Sequence, residues 1–194
     1  MAEQRTYLIH PQKFLLWLFI ISVIMVFGGL TSAYIVQRSF VRPDQQVLFA
    51  LPDVLWYNLA LALLSSVTMQ LAVYWEKQSQ MRLVSLALGM TFVLGCLFLL
   101  GQWQAFGDMT AGGLPFVDRR RLDNSVSYFY VFTGLHGAHI VSAVITVLVL
   151  LIRSLLNRFP AGRRRLIFEM SAVFWHFLGL LWVYLFVFLN YTQR

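Results

Sequence analysis

Residues 124–152 read NSVSYFYVFTGLHGAHIVSAVITVLVLLI, with no Lys, Arg, Asp or Glu between Asp123 and Arg153. A helix needs ~20 residues to cross the hydrocarbon core of a bilayer, and a barrel strand only ~9–11. In lipid the backbone must satisfy its own hydrogen bonds, which leaves helices and closed barrels. The in-out alternation of barrel strands is absent here, so the stretch reads as a membrane-spanning helix. Working outward, the same kind of uncharged run lies between Lys13 and Arg38, Asp53 and Glu76, Arg82 and Asp108, and Glu169 and Arg194. The sequence therefore points to an all-α integral membrane bundle of five transmembrane helices, about 14–37, 54–75, 83–106, 125–152 and 166–190, in a single membrane domain 1–194.

Composition agrees. Apolar residues make up 59% of the chain and charged ones 12%, against about 25% charged in soluble domains. The mean hydropathy is +0.71. The net charge of +7 comes from short Lys/Arg clusters between long uncharged runs, not from a continuous basic face, which argues against nucleic acid as a partner. Cys96 is the only cysteine and lies in an apolar run, so neither an internal disulfide nor a cysteine-built metal cluster can form. The first run is longer than the 7 to 15 residues of a signal-peptide core and reads as a retained helix.

Orientation follows from the basic residues. Arg153, Arg158, Arg163, Arg164 and Arg165 flank the fourth and fifth spans, and the segments on their side of the membrane carry more Lys and Arg than those on the other. That side is expected to be cytoplasmic, with the N-terminus inside and the C-terminus periplasmic.

Ionisable groups inside a membrane are costly, which makes them the first candidates for function. The chain offers His136, His139, Glu169 and His176. His136 and His139 are one turn apart on the fourth span; Glu169 and His176 are two turns apart and share a face of the fifth. At 1.5 Å per residue, His139 lies ~20 Å and His176 ~15 Å from the boundary that the fourth and fifth spans share. The expectation is that His176 bonds a partner on the fourth span, directly or through one water. Two histidines at i, i+3 with a carboxylate on a neighbouring helix could hold iron, but a di-iron site requires more ligands than this set supplies. Interhelical hydrogen bonding is the favoured reading, with no catalytic, cofactor or metal residue in the chain. Gly134, Ala138 and Ser142 recur every four residues, and Ala172 and Gly179 accompany Glu169 and His176, so close approach of the two helices is expected along these rows. Trp175, Trp182 and Tyr184, like Trp56 and Trp103, read as core filling or interfacial anchors.

The segment Thr133-Gly134-Leu135-His136-Gly137-Ala138-His139 is similar to the T-G-x-H-G-x-H signature of subunit III of the haem-copper respiratory oxidases. Glu169, followed by Trp175-His176-Phe177 and then by Trp182, resembles that family's final helix. Weaker likeness extends to Leu18–Ser22, Leu51-Pro52 and Leu99–Gln102. The resemblance implies a short five-helix bacterial form, without the two helices that flank a lipid-filled cleft in the seven-helix form. It also implies an accessory subunit of a proton-pumping cytochrome c oxidase in the bacterial cytoplasmic membrane, packed against subunit I, which holds the haems and copper. Subunit II, other small subunits, a respiratory supercomplex and bound phospholipid are the further partners it implies. Such subunits sustain proton delivery and protect against turnover inactivation. Glu3, His10 and Glu76 are candidates for proton exchange near a channel mouth.

The chain departs from the family pattern where an acid of the first helix is replaced near Val23, and where Gly179 stands in place of the Asp two positions after W-H-F. Quinol oxidases and nitric oxide reductase assemblies use similar subunits. A small transporter would instead need a polar midplane path or helices broken within the membrane, and no span contains an internal Pro or a facing acid pair.

Overall fold

The computed structural model describes residues 11–46, 49, 51–117, 123–159 and 162–193. Five helices account for most of them: α1 Pro11–Ser39, α2 Val54–Lys77, α3 Met81–Ala111, α4 Ser125–Leu155 and α5 Arg164–Thr192. All five are long and apolar enough to cross a membrane, and no strand occurs among the described residues. Each helix contains the span expected from sequence and runs past it by a few residues. The uncharged run marks only what must lie in hydrocarbon, whereas the backbone stays helical into the interfacial layer.

The helix ends follow local rules. Pro11 opens α1, where a missing N–H costs nothing. Past α3, Gly113 takes φ +73° and Leu114 N–H bonds Met109 O at 3.0 Å, a closure that needs a left-handed residue. Ser79 (φ 59°) and Asn157 (φ 54°) do the same after α2 and α4, with Gln80 N–H on Trp75 O and Arg158 N–H on Arg153 O.

α2, α3, α4 and α5 form a ring in which each helix packs on the next and α5 closes against α2. α1 lies outside the ring, against α4 and α5. Contacts between helix ends fix the directions. The end of α2 meets the start of α5 through Glu76 and Arg164, and the start of α3 meets the end of α4 through the Ser85 and Ser154 hydroxyls, 2.8 Å apart. Lys13 and Glu169 join the starts of α1 and α5, while Arg38 and the Thr192 carbonyl join their ends. Successive helices therefore run up and down.

α1 contributes one stripe, Ile20, Val23, Phe27, Thr31 and Tyr34, at the three- and four-residue steps of a single helical face. Tyr34 sits edge-on to Tyr128 (5.3 Å) and Phe188 (5.6 Å), pinning α1 to α4 and α5 at one end. Within the bundle, Met69, Leu88, Phe129, Phe132, Phe168 and Leu185 are fully buried. The outer faces of the helices expose large apolar side chains such as Leu15, Met25, Leu100 and Leu180. In water such a surface would be untenable; in a bilayer it is solvated by lipid tails. The protein is a multi-pass membrane protein.

Candidate functional site

Three groups of polar side chains within the membrane contain the histidines and acids expected from sequence. At the end shared by the starts of α1, α3 and α5, Glu169 accepts from Lys13 Nζ at 2.9 Å and from Arg165 Nε at 3.1 Å. Beside it, Arg164 Nε donates to Glu76 Oε1 at 2.7 Å. Glu76 is 4% exposed and held in this ion pair, so of the groups suggested by sequence it is not a surface one. Glu3 and His10 lie outside the described residues.

One turn or two deeper, His176 Nε2 donates to Gln70 Oε1 at 3.1 Å. Gln70 is on α2, so the partner expected on the fourth helix is found on the second. The reason is the closure of the ring: the Glu169–His176 face of α5 turns toward α2 and the groove beneath α1, and α4 meets a different face. Glu169 and His176 do share a face, since both line that groove with Lys13, Trp17 and Gln70.

The third group lies in the core. His136 is fully buried, stacked on Trp182 (ring centroids 5.2 Å apart, planes at 23°) and edge-on to Phe98 (5.9 Å). Its neighbour His139 points elsewhere: Nδ1 donates to Leu135 O at 2.8 Å, and the ring meets Phe19 and Phe27 of α1. Thr133 is buried, its hydroxyl bonding Phe129 O at 2.6 Å. Trp175 Nε1 donates to Ser65 Oγ at 3.1 Å, tying α5 to α2, and the Thr68 and Thr91 hydroxyls, 2.8 Å apart, tie α2 to α3. Trp175 and Trp182 are thus core residues, whereas Trp56 and Trp103 are exposed on the outer faces and Tyr184, half exposed, donates its hydroxyl to Thr31 of α1.

The three intramembrane imidazoles do not converge. His136 faces the ring interior, His139 lies under α1 and His176 faces α2. Among the described residues no three of His, Cys, Asp and Glu come together in a way that could hold a metal ion.

Close helix approach is not where the small-residue row placed it. A Cβ added at Gly134 or Gly137 would meet nothing within 4 Å, and Ala138 and Ser142 are exposed. That row lies on the outer side of α4. The tight contacts are at Gly95, whose added Cβ would come within 2.9 Å of Trp175 Cη2 and Val144 Cγ2, at Gly101 against the Asn58 side chain, and at Gly179, 3.1 Å from Ser66 Oγ. Asn58, Gln70 and Gln102 were not singled out from sequence, although an amide inside an apolar span is itself a signal.

Residues 6–193 match the family described as Cytochrome c oxidase subunit III. The chain is 29% identical over 190 residues to cytochrome c oxidase subunit 3 of Bacillus sp. (strain PS3), covering 95% of this chain and 87% of that one. It is 31% identical to the probable cytochrome c oxidase subunit 3 of Rickettsia prowazekii (strain Madrid E), covering 88% of this chain and 59% of the relative. It is 26% identical to the probable quinol oxidase subunit 3 of Staphylococcus aureus (strain USA300), over 95% and 90% of the two. Five apolar helices and a match that runs almost end to end agree on one conclusion: the chain belongs to the cytochrome c oxidase subunit III family, the third subunit of haem-copper oxidases.

Proposed function

We propose that the chain is the accessory, non-redox subunit of a proton-pumping terminal oxidase in the bacterial cytoplasmic membrane. It packs against subunit I, near subunit II and smaller subunits, steadies subunit I and supports proton uptake. Its N-terminus faces the cytoplasm, in keeping with the arginines between α4 and α5. The observation that carries the reading is the use made of the polar groups: the Trp175–Ser65, His176–Gln70, Thr68–Thr91 and Arg164–Glu76 pairs join helix to helix in this chain, and the imidazoles point in separate directions. Such a subunit contributes shape and cohesion, and the redox chemistry belongs to its neighbours. The groove between α1 and α2, with an apolar floor and Lys13 at its end, suits a phospholipid acyl chain and headgroup.

The test is to purify the oxidase with and without this chain. Haem and copper contents should be equal, initial oxygen consumption similar, and loss of activity during turnover faster without the chain. Loss of haem or copper together with the chain would overturn the proposal. A second reading, membership of a quinol oxidase, is favoured by the relatives named as such. Comparing cytochrome c with a quinol as electron donor to the same complex separates the two.

A further inference from the structure

Between α2, α3, α4 and α5 the ring encloses a small cavity lined by Ser65, Gly95, Phe98, His136 and Trp182, among others. The space open to the centre of a water-sized molecule is ≈ 20 Å³. One water requires ~10–15 Å³ by this measure, so the cavity admits one water and is too small for a lipid chain.

The lining is not that of a dry apolar void. His136 is 0% exposed and Trp182 1%, and among the described residues neither ring nitrogen of His136 nor Trp182 Nε1 has a hydrogen-bond partner. A neutral imidazole carries one donor and one acceptor, and an indole one donor. Buried polar groups of native proteins are nearly always partnered, and within a bilayer no bulk water reaches them. Ser65 supplies a further site: its hydroxyl accepts from Trp175 Nε1 at 3.1 Å and donates to Ala62 O at 2.9 Å, which leaves one lone pair open. Three side chains from three helices thus border a space of one-water size, within the two to four partners that buried waters have.

We propose that this cavity is a binding site for a single tightly held water. It accepts from Trp182 Nε1–H, exchanges a hydrogen bond with one nitrogen of His136 and donates to Ser65 Oγ. The water joins α4 to the Trp175–Ser65 bond that already links α5 and α2, and it fixes the rotation of the His136 ring over Trp182. Trp175, Ser65, the water, Trp182 and His136 then form one continuous polar strand across the bundle.

The first test needs no variant. A density map of the protein, purified in lipid with whatever it assembles with, at a resolution that shows ordered waters, should contain one peak within ~2.7–3.2 Å of Trp182 Nε1 and of a His136 nitrogen. An empty cavity, a His136 ring turned onto a protein atom, or density larger than one water would each overturn the proposal. Independently, solid-state NMR of the ¹⁵N-tryptophan-labelled protein in bilayers should show magnetisation passing from water to one buried indole N–H, and that signal should disappear in Trp182→Phe. No water transfer to the Trp182 indole would refute the site.

Discussion

Removing the Arg164 side chain should destabilise the bundle far more than removing that of Arg165, its immediate neighbour. Arg164 is the hydrogen-bonded ion partner, at 2.7 Å, of Glu76, which is 4% exposed and lies at the junction of α2 and α5. Arg164→Ala leaves a buried carboxylate without its counter-charge, a change that costs about 3 kcal/mol, or roughly a hundredfold in the unfolding equilibrium. Arg165 is 69% exposed and pairs with Glu169 at i,i+4, a geometry worth about 0.5 kcal/mol or less, and Glu169 keeps Lys13 when Arg165 is lost. Both substitutions remove one positive charge, so net charge and bulk electrostatics cannot account for a difference between them. The assay is unfolding of the purified protein in mixed micelles by increasing sodium dodecyl sulfate. The reporter is labelling of Cys96, the chain's only thiol and a partly buried residue of α3, by a water-soluble maleimide. The double variant Glu76→Gln, Arg164→Met should recover much of the loss, because it removes the stranded charge as well. Equal effects of Arg164→Ala and Arg165→Ala, or no recovery in the double variant, would refute the reasoning.

Other outcomes follow from the same geometry. Gly95→Ala and Gly101→Ala should each lower stability by roughly 1–3 kcal/mol through overpacking, whereas Gly137→Ala, whose Cβ meets nothing, should leave the chain unchanged or raise its stability by up to about 1 kcal/mol; the same unfolding titration reads all three. His176→Phe and Gln70→Leu should each cost about 1 kcal/mol, and together little more than either alone, because both delete the same hydrogen bond; strict additivity would argue against that pairing. A hydrophobic carbodiimide should give no adduct within residues 14–37, which contain no carboxylate, and peptide mass spectrometry showing one there would contradict the alignment at Val23.

The five spans were legible because a bilayer imposes a length that any uncharged run reveals. Which face each helix turns inward was not, and the cause is physical. Lipid tails and protein core are equally apolar, so Leu100, two-thirds exposed, and Leu88, fully buried, look alike in the sequence of α3. The partner of His176 was assigned to the fourth helix because depth along the membrane normal can be counted residue by residue. Rotation about the helix axis cannot, and rotation is what brings His176 to Gln70. The Gly134–Ala138–Ser142 row has the spacing of a packing motif, but spacing does not say whether the neighbour belongs to the same chain. Gly95 and Gly101, which sit at real contacts, are defined by what opposes them, Trp175 and Asn58, residues distant in sequence. The His136 environment was half legible: an imidazole in an apolar span was identified as costly, but its stacking on Trp182 depends on the α4–α5 arrangement.

The central claim, that this chain works as the accessory third subunit of a haem-copper oxidase, is tested most directly by affinity capture of the tagged chain in mild detergent. Absorption spectra and metal content are recorded on the complex and on the chain after separation. The account predicts haem absorbance and copper in the complex, and a colourless, metal-free chain once separated. A chain captured without haem or copper, or one that retains a metal after separation, would contradict it.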